Sequence, residues 1–405
     1  VGTNDAKRLR LFIVCSGLGR IHRGFESFAA QAFSALRNGS SLSVRLFGAG
    51  GSAKFGAVQI PCISRSHLRA RWIGALLGKD AYFAEQATFV LGLLPYIIKD
   101  SPDVVLCSDR VTIDLLWYLR RLFKLKFRIL GSNGGPMGPP FTRVDFVQHV
   151  VADTFDRSLR MGTPAERQAL VPYGFAISML GLPHDGSRAK KELSLPTDRL
   201  IILSAGAINC GHKRMDYVVR EIARIANTPD APRPFLLMVG QTTDETQKVR
   251  NLACETLGEG GFDIRCAAAE EMQAYYSAAD CFVLGSLYEA FGRVIVEACA
   301  AGLPCLLHDS INSRYILGDL GEFADFTKDG ELSSLITGVS GLEKQNQSLR
   351  EKRNDEMAKR FSWESLLPLY VKMVEQCARV TISGRTWDET SDAAVQPKMT
   401  GPLSD

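Results

Sequence analysis

Short runs of consecutive apolar residues alternate along this chain with stretches in which apolar positions recur every three to four residues. The first pattern marks strands buried on both faces, and the second marks helices that lay one face on a core. Residues 9–15 open the series as a strand. A helix over 25–37 follows, with Phe25, Phe28, Ala29, Ala32, Phe33 and Leu36 on one face. Further strands are predicted at 43–47, 104–107, 127–130 and 146–150, with helices at 80–94 and 112–123. Residues 181–199 break the rhythm: they begin Gly-Leu-Pro-His-Asp-Gly-Ser, end Leu-Pro-Thr-Asp, and read as a polar, turn-rich linker. The pattern then restarts, with strands at 200–204, 235–239, 264–266, 281–284 and 304–307 and helices at 214–226 and 244–257. An amphipathic stretch at 363–377 closes it.

This alternation predicts an α/β fold in which helices cover parallel sheets and ligands bind at the carboxyl ends of the strands. A chain of 405 residues supplies two independent cores. Two such units in tandem, without a repeat of fixed period, place the active site in the cleft between them. The expected division is 1–185, 186–365, a terminal helix at 366–382, and a mobile polar tail at 383–405.

A hydrophobic content of 46% and a charged content of 23% describe an ordinary soluble globular protein. The ten cysteines form no Cys-x-x-Cys pair and no Cys/His metal spacing. Most fall in apolar runs, so reduced core thiols in a cytoplasmic protein are expected. No targeting segment or membrane span is expected either, since the longest apolar stretch, 87–98, is interrupted by Pro95 and too short to cross a bilayer. The net charge of +4 is unevenly distributed: residues 1–190 carry 25 Lys+Arg against 13 Asp+Glu, and the remainder 23 against 31. A basic first half predicts that something anionic approaches it.

The chemistry concentrates around Tyr288-Glu289-Ala290-Phe291-Gly292-Arg293-Val294-Ile295-Val296-Glu297. The apolar run at 281–284 before it reads as a buried strand, and Gly292 opens a helical run. Glu289 then lies in the loop after the strand, and Glu297, eight residues on, lies on the second helical turn. Free amides at such a helix start suit a phosphate, and the two acids can reach hydroxyls on either side of it. This stretch resembles the donor-site motif of retaining glycosyltransferases of family 4, which have the GT-B fold.

The resemblance covers about residues 8–380 and is densest in the second half. It implies two Rossmann-like domains facing a central cleft, the first on the acceptor side, the second holding a nucleotide-sugar donor, with the C-terminal helix returning to the first domain. Ser204-Ala205-Gly206 followed by Lys213-Arg214-Met215-Asp216-Tyr217 resembles the family's strand–glycine–basic-helix segment, whose lysine holds the donor diphosphate. Lys213 is the leading candidate for that role. The family's arginine directly after the glycine is replaced by Ala207, leaving Arg214, Arg293 and Arg23 as possible second cations. By the same resemblance Glu297 accepts the ribose hydroxyls. Glu289 faces the transferred sugar and the charge developing at its anomeric carbon, and the amides of Phe291, Gly292 and Arg293 touch sugar or phosphate. Residues 263–267 fall at the family's nucleobase loop. Arg23-Gly24-Phe25-Glu26 resembles a Gly-Gly-x-Glu loop in which Gly24 lets the backbone approach the phosphates. Asn133, His149 and His22 are further candidates on the acceptor or sugar side.

A dinucleotide fingerprint is not met, because Gly17-Leu18-Gly19-Arg20-Ile21-His22 lacks its last glycine. There is no Asp-x-Asp pair, and neither metal nor cofactor is expected. The resemblance implies that helix amides and basic side chains neutralise the diphosphate. The expected chemistry is same-face displacement on a glycan, lipid-linked or small-molecule acceptor, with no nucleic-acid partner. Arg65, Arg69 and Arg71 beside Leu68, Trp72, Ile73, Leu76 and Leu77, together with Arg120, Arg121, Lys124, Lys126 and Arg128, suggest a basic amphipathic surface for the inner face of a membrane; the alternative is a helix packed on its own domain. Two other functions remain open: a sugar-nucleotide epimerase on the same fold, or a catalytically silent nucleotide-binding subunit.

Overall fold

The structure is a computed structural model that describes residues 8–20, 24–134, 138–139, 141–177, 186–228, 233–339 and 347–382. Two wholly parallel sheets carry the chain. The first contains β1 (Arg10–Cys15), β2 (Ser43–Gly48), β3 (Val58–Gln59), β4 (Val104–Cys107), β5 (Arg128–Asn133), β6 (Phe146–His149) and β7 (Gln168–Leu170), in the order β3-β2-β1-β4-β5-β6-β7. The second contains β8 (Ile201–Ala205), β9 (Phe235–Val239), β10 (Phe262–Arg265), β11 (Cys281–Leu284), β12 (Cys305–His308) and β13 (Gly321–Ala324), in the order β10-β9-β8-β11-β12-β13. In each sheet the order reverses beside the first strand, between β1 and β4 and between β8 and β11. Loops diverge there and leave a crevice at the strands' carboxyl ends.

Helices cover these sheets. In the first unit they are α1 (Gly24–Gly39), α2 (Leu68–Leu76), α3 (Ala81–Asp100), α4 (Arg110–Leu122) and α5 (Ala152–Arg160). In the second they are α6 (Gly186–Glu192), α7 (Met215–Ala226), α8 (Thr246–Leu257), α9 (Met272–Ala278), α10 (Arg293–Ala300), α11 (Ile311–Leu317), α12 (Glu331–Val339) and α13 (Gln347–Phe361). Finally α14 (Trp363–Arg379) crosses back onto the first sheet, where it packs on α1 and β5. Ser362 caps its start, its hydroxyl accepting from the Ser365 amide at 3.1 Å. Tyr370 anchors the return: its hydroxyl donates to the Pro172 carbonyl at 2.7 Å and accepts from Gln148 Nε2 at 2.9 Å. Trp363 lies so close to the 171–177 crossing that a Cβ on Gly174 would meet its indole at 2.5 Å. The expected return of the terminal helix is therefore present.

Two expectations change. The linker predicted over 181–199 contains a helix, α6, which buries Ala189 and brings Lys190 to a buried ion pair with Asp280 at 2.8 Å; 181–185 lie outside the described residues. The apolar stretch around Pro95 is also not interrupted, because α3 runs through it for 20 residues. Proline removes the amide that would bond the carbonyl four residues earlier. That carbonyl belongs to Leu91, which is exposed, so water can satisfy it. By length and composition α3 could cross a bilayer. In this fold it buries Ala84, Glu85, Gln86, Phe89, Val90, Leu93 and Ile97.

The basic surface is also smaller than its sequence suggests. Arg65 stacks on Tyr82 and pairs with the buried Glu85 at 3.1 Å, Arg120 is buried against Asp145, and Arg128 donates to the Val380 carbonyl at 3.0 Å. The first two satisfy buried carboxylates that would otherwise be costly. Arg69, Arg71, Lys79, Lys124 and Lys126 remain exposed. Six cysteines are buried, while Cys254 and Cys266 are exposed, so not every thiol lies in the core. The tail expected at 383–405 lies outside the described residues.

Candidate active site

The site is assembled where β8 and β11 end. After β8 the chain turns at Gly206, with φ of 147°, a conformation glycine adopts without strain. A side chain there would also crowd the lysine, its Cβ lying 3.0 Å from Lys213 Cε. The bare glycine thus provides the surface along which the lysine stem lies. The Lys213 amide donates to Asn209 Oδ1 at 2.9 Å, which fixes the turn carrying it. After β11, the loop returns at Gly292 (φ 64°), and α10 begins at the next residue.

These two turns bring Lys213 and Glu289 together across 76 residues of sequence. Lys213 Nζ lies 2.5 Å from Glu289 Oε1, with side chains only 14% and 11% exposed. Glu289 is held through its main chain as well, because Asn312 Nδ2 donates to its carbonyl at 2.8 Å. His212, which sequence reasoning did not single out, adds a tie between the loops: its Nε2 lies 3.1 Å from the Tyr288 carbonyl and 3.9 Å from Glu289 Oε1. Only its position next to Lys213 pointed towards it.

Glu297 lies on the second turn of α10, as its spacing predicts. Its Oε2 accepts from the Tyr276 hydroxyl at 3.0 Å, and its Oε1 lies 3.6 Å from Arg293 Nη2. Burial pushes the carboxyl pKa up, opposed by Arg293 and by the Tyr276 hydrogen bond. Burial likewise pulls the Arg293 pKa down, opposed by Glu297. The Arg293 guanidinium stacks 4.1 Å from the Phe175 ring centroid, and among the described residues neither Nη1 nor Nη2 has a hydrogen-bond partner. Its stem also passes the start of α1: a Cβ on Gly24 would lie 3.5 Å from Arg293 Cδ. The first turns of α1 and α10 therefore meet, one from each sheet. Phe291 offers only its backbone, since its ring is buried among Tyr173, Phe175 and Phe361.

Other sequence candidates lie elsewhere. Arg214 has φ 49° and turns inward, its Nη1 donating to the carbonyls of Phe326 at 2.9 Å and Gly285 at 3.2 Å, with its guanidinium over Tyr217. Asn133 and His149 are neighbours at the carboxyl ends of β5 and β6, 3.4 Å apart, and both are buried. The His149 ring lies edge-on to Phe141 and Phe155, and burial lowers its pKa to about 4, so it is neutral at physiological pH. His22 and Arg23 lie outside the described residues. Among the described residues, no group of three His, Cys, Asp or Glu side chains could hold a metal. The 263–267 segment ends β10 with Arg265 Nε on Asp263 at 2.7 Å, leaving Cys266 exposed.

Residues 186–355 match the family model described as glycosyl transferases group 1. A D-inositol 3-phosphate glycosyltransferase of Stackebrandtia nassauensis is 30% identical over 252 residues, 58% of this chain and 54% of that protein. The O-antigen chain mannosyltransferase B of Escherichia coli is 35% identical over 99 residues, 24% of this chain and 25% of that protein. The chain thus spans about half the length, or less, of these curated relatives. Among solved structures, sucrose-phosphate synthase of Thermosynechococcus elongatus superposes with a TM-score of 0.73 at 18% identity, over 91% of this chain and 99% of that one. Anabaena Alr3699/HepE in complex with UDP and glucose gives 0.72 at 13%, over 91% and 100%. Similarity at such low identity reaches the fold, and the family match reaches the domain that holds Lys213, Glu289 and Glu297. The chain therefore has a GT-B fold, and its residues 186–355 are similar to glycosyl transferases group 1.

Proposed function

We propose that this protein transfers a sugar from a nucleotide-diphosphate sugar to an acceptor hydroxyl, with retention at the anomeric carbon and without a metal ion. The observation that carries this reading is the Lys213–Glu289 contact beside the start of α10, with Glu297 on the next turn of that helix. The donor diphosphate sits against the amides of α10 and the Lys213 ammonium, which together offset its charge. Glu297 binds the ribose, and Glu289 faces the sugar. As the anomeric carbon–oxygen bond breaks, positive charge grows on the ring and negative charge on the departing phosphate. Glu289 stabilises the first and Lys213 the second. The leaving phosphate oxygen takes the acceptor's proton, and the acceptor oxygen bonds to the face that the phosphate leaves. No observation favours an epimerase or a silent subunit.

The test is a panel of UDP-, GDP- and ADP-sugars scored by nucleotide release and product anomer, with and without EDTA. Acceptor-dependent release with one nucleotide, an unchanged anomer and undiminished turnover in EDTA are expected. An inverted product, or activity lost in EDTA and restored by Mg²⁺ or Mn²⁺, refutes the mechanism.

The acceptor is a glycan or lipid-linked hydroxyl, met at the cytoplasmic face of a membrane. What supports this is α2, where Leu68, Trp72 and Leu76 recur every four residues and are 66%, 77% and 87% exposed beside Arg69, Arg71 and Lys79. Such a face inserts apolar side chains at the headgroup boundary while its cations meet anionic lipid. Each basic residue contributes on the order of 1 kcal/mol, screened by salt. Neutralising Arg69, Arg71 and Lys79 together is therefore expected to reduce cosedimentation with anionic vesicles at low salt at least tenfold, with nucleotide-sugar affinity unchanged. If the wild-type protein ignores such vesicles at low salt, the acceptor is a soluble glycan.

A further inference from the structure

The loop that carries Glu289 is held from both sides at two successive carbonyls. From one side Asn312, on α11, donates its Nδ2 to the Glu289 carbonyl at 2.8 Å. From the other, His212 Nε2 lies 3.1 Å from the Tyr288 carbonyl. A carbonyl only accepts, so that nitrogen carries the proton and donates it. The two ties differ in burial. Asn312 is 3% exposed and belongs to the packing of α11, whereas the His212 side chain is 57% exposed. Replacing so exposed a ring costs the fold little.

His212 is placed by the same turn that delivers Lys213. The Lys213 amide on Asn209 Oδ1 fixes that turn, and so does the Cys210 amide, which donates to Glu245 Oε2 at 3.0 Å. Two side chains adjacent in the chain thereby converge on one atom: Lys213 Nζ lies 2.5 Å from Glu289 Oε1, and His212 Nε2 lies 3.9 Å from it. At that distance the ring makes no hydrogen bond to the carboxylate. A charge on it would still be felt there, because the Glu289 side chain is only 11% exposed. Among the described residues, the charged groups on the elements that meet this turn are Glu289, from the loop after β11, Lys213 beside the ring, and Glu245 at the start of α8.

We propose that His212 is a positioning residue: its hydrogen bond to the Tyr288 carbonyl holds the Glu289 carboxylate at the donor sugar, and a second proton on its ring weakens that carboxylate. The proposal rests on the transfer reading, which assigns Glu289 to the charge developing on the sugar. The neutral ring suffices for the holding. A protonated ring still donates to Tyr288, but it sets a second cation beside Oε1, where Lys213 already stands. The negative potential that Glu289 turns to the sugar then falls. Histidine gains its charge as pH drops through the range from about 8 to 5, so kcat should decline towards acid. Glu297, whose carboxyl pKa burial pushes up, also gains a proton on that side. In the proposed mechanism it meets the ribose, so its protonation moves KM.

The experiment is steady-state kinetics of the full chain on the nucleotide sugar from which it releases nucleotide, from about pH 8 to about pH 5. His212→Ala removes the tie and is expected to lower kcat at the alkaline end by about 2- to 12-fold, the worth of one neutral hydrogen bond, with the donor's KM unchanged. His212→Gln offers a carboxamide N–H in place of Nε2 and cannot take the charge. It should restore most of kcat at the alkaline end and, unlike the wild type, lose little of it towards acid. A purely structural role would produce neither the rescue nor the altered pH profile. An alanine variant with wild-type kcat, a glutamine variant as slow as the alanine one, or a glutamine variant that keeps the wild-type acid limb overturns the proposal and leaves the transfer reading standing. A wild-type protein that releases no nucleotide from UDP-, GDP- or ADP-sugars removes both.

Discussion

Glu289→Ala is expected to lower kcat by about 10²–10³ while changing the donor's KM little, and Glu297→Ala to do the reverse. The separation follows from what each carboxylate meets in the proposed mechanism. There Glu289 faces charge that appears only as the sugar–phosphate bond breaks, so its contribution is confined to the transition state. Removing one preorganised electrostatic partner of that kind typically costs about 10²–10³ in kcat. Glu297 lies one turn into α10, braced by Tyr276 and Arg293. In the proposed mechanism it meets ribose hydroxyls, which are bound equally before and during reaction. Losing it removes uniform binding and raises KM, by about 10- to 150-fold for one hydrogen bond to a charged group. Steady-state kinetics on both variants, with folding checked by thermal unfolding, gives the comparison. If the two effects are exchanged, the sugar and the ribose lie on the opposite carboxylates.

Much of this arrangement is legible from sequence because it rests on strands. β4, β9 and β11 were predicted residue for residue, since each is a short apolar run buried on both faces and closed by polar turns. Glycines at 206 and 292 then place Lys213 and Glu289 in loops at adjacent strand ends, where parallel sheets collect their ligands. The edge elements were not legible. β3 and β7 span two and three residues, too few to show a period. In α13 the buried residues Met357 and Phe361 are joined by an arginine, Arg353, inside a run so charged that it reads as solvated surface.

Side-chain direction was the other hidden quantity. Arg214 and Arg293 looked equivalent as substitutes for the cation missing at Ala207. Yet one turns to the Gly285 and Phe326 carbonyls, and the other stacks on Phe175 beneath the start of α1. Both outcomes depend on neighbours more than a hundred residues away (Phe326 for one, Phe175 for the other), which no local pattern records. The exposed face of α2 is similar: its arginines were visible in sequence, but that Arg65 turns to Glu85 on α3 was not.

Lys213→Ala should weaken donor binding and slow transfer together, lowering kcat/KM by about 10- to 150-fold. In the proposed mechanism the ammonium meets the diphosphate both in the bound donor and, more strongly, in the departing nucleotide, so both constants move. A charge-assisted hydrogen bond is worth roughly 1.5–3 kcal/mol, which sets that range. The pairing with Glu289 makes a second, independent demand. In the unliganded protein these charges neutralise each other at 2.5 Å with little exposure, so removing the lysine leaves a poorly solvated carboxylate beside the phosphate site. That carboxylate repels the donor, and part of the loss should return when it is removed too. The Lys213→Ala/Glu289→Ala double variant is therefore expected to bind the donor more tightly than Lys213→Ala alone, although it turns over more slowly. Calorimetric donor affinities for the wild type, both single variants and the double variant provide the cycle. Strictly additive losses in affinity would mean that the Lys213–Glu289 contact has no bearing on donor binding, and a folded Lys213→Ala enzyme with near-normal affinity and rate would remove the lysine from the diphosphate site altogether.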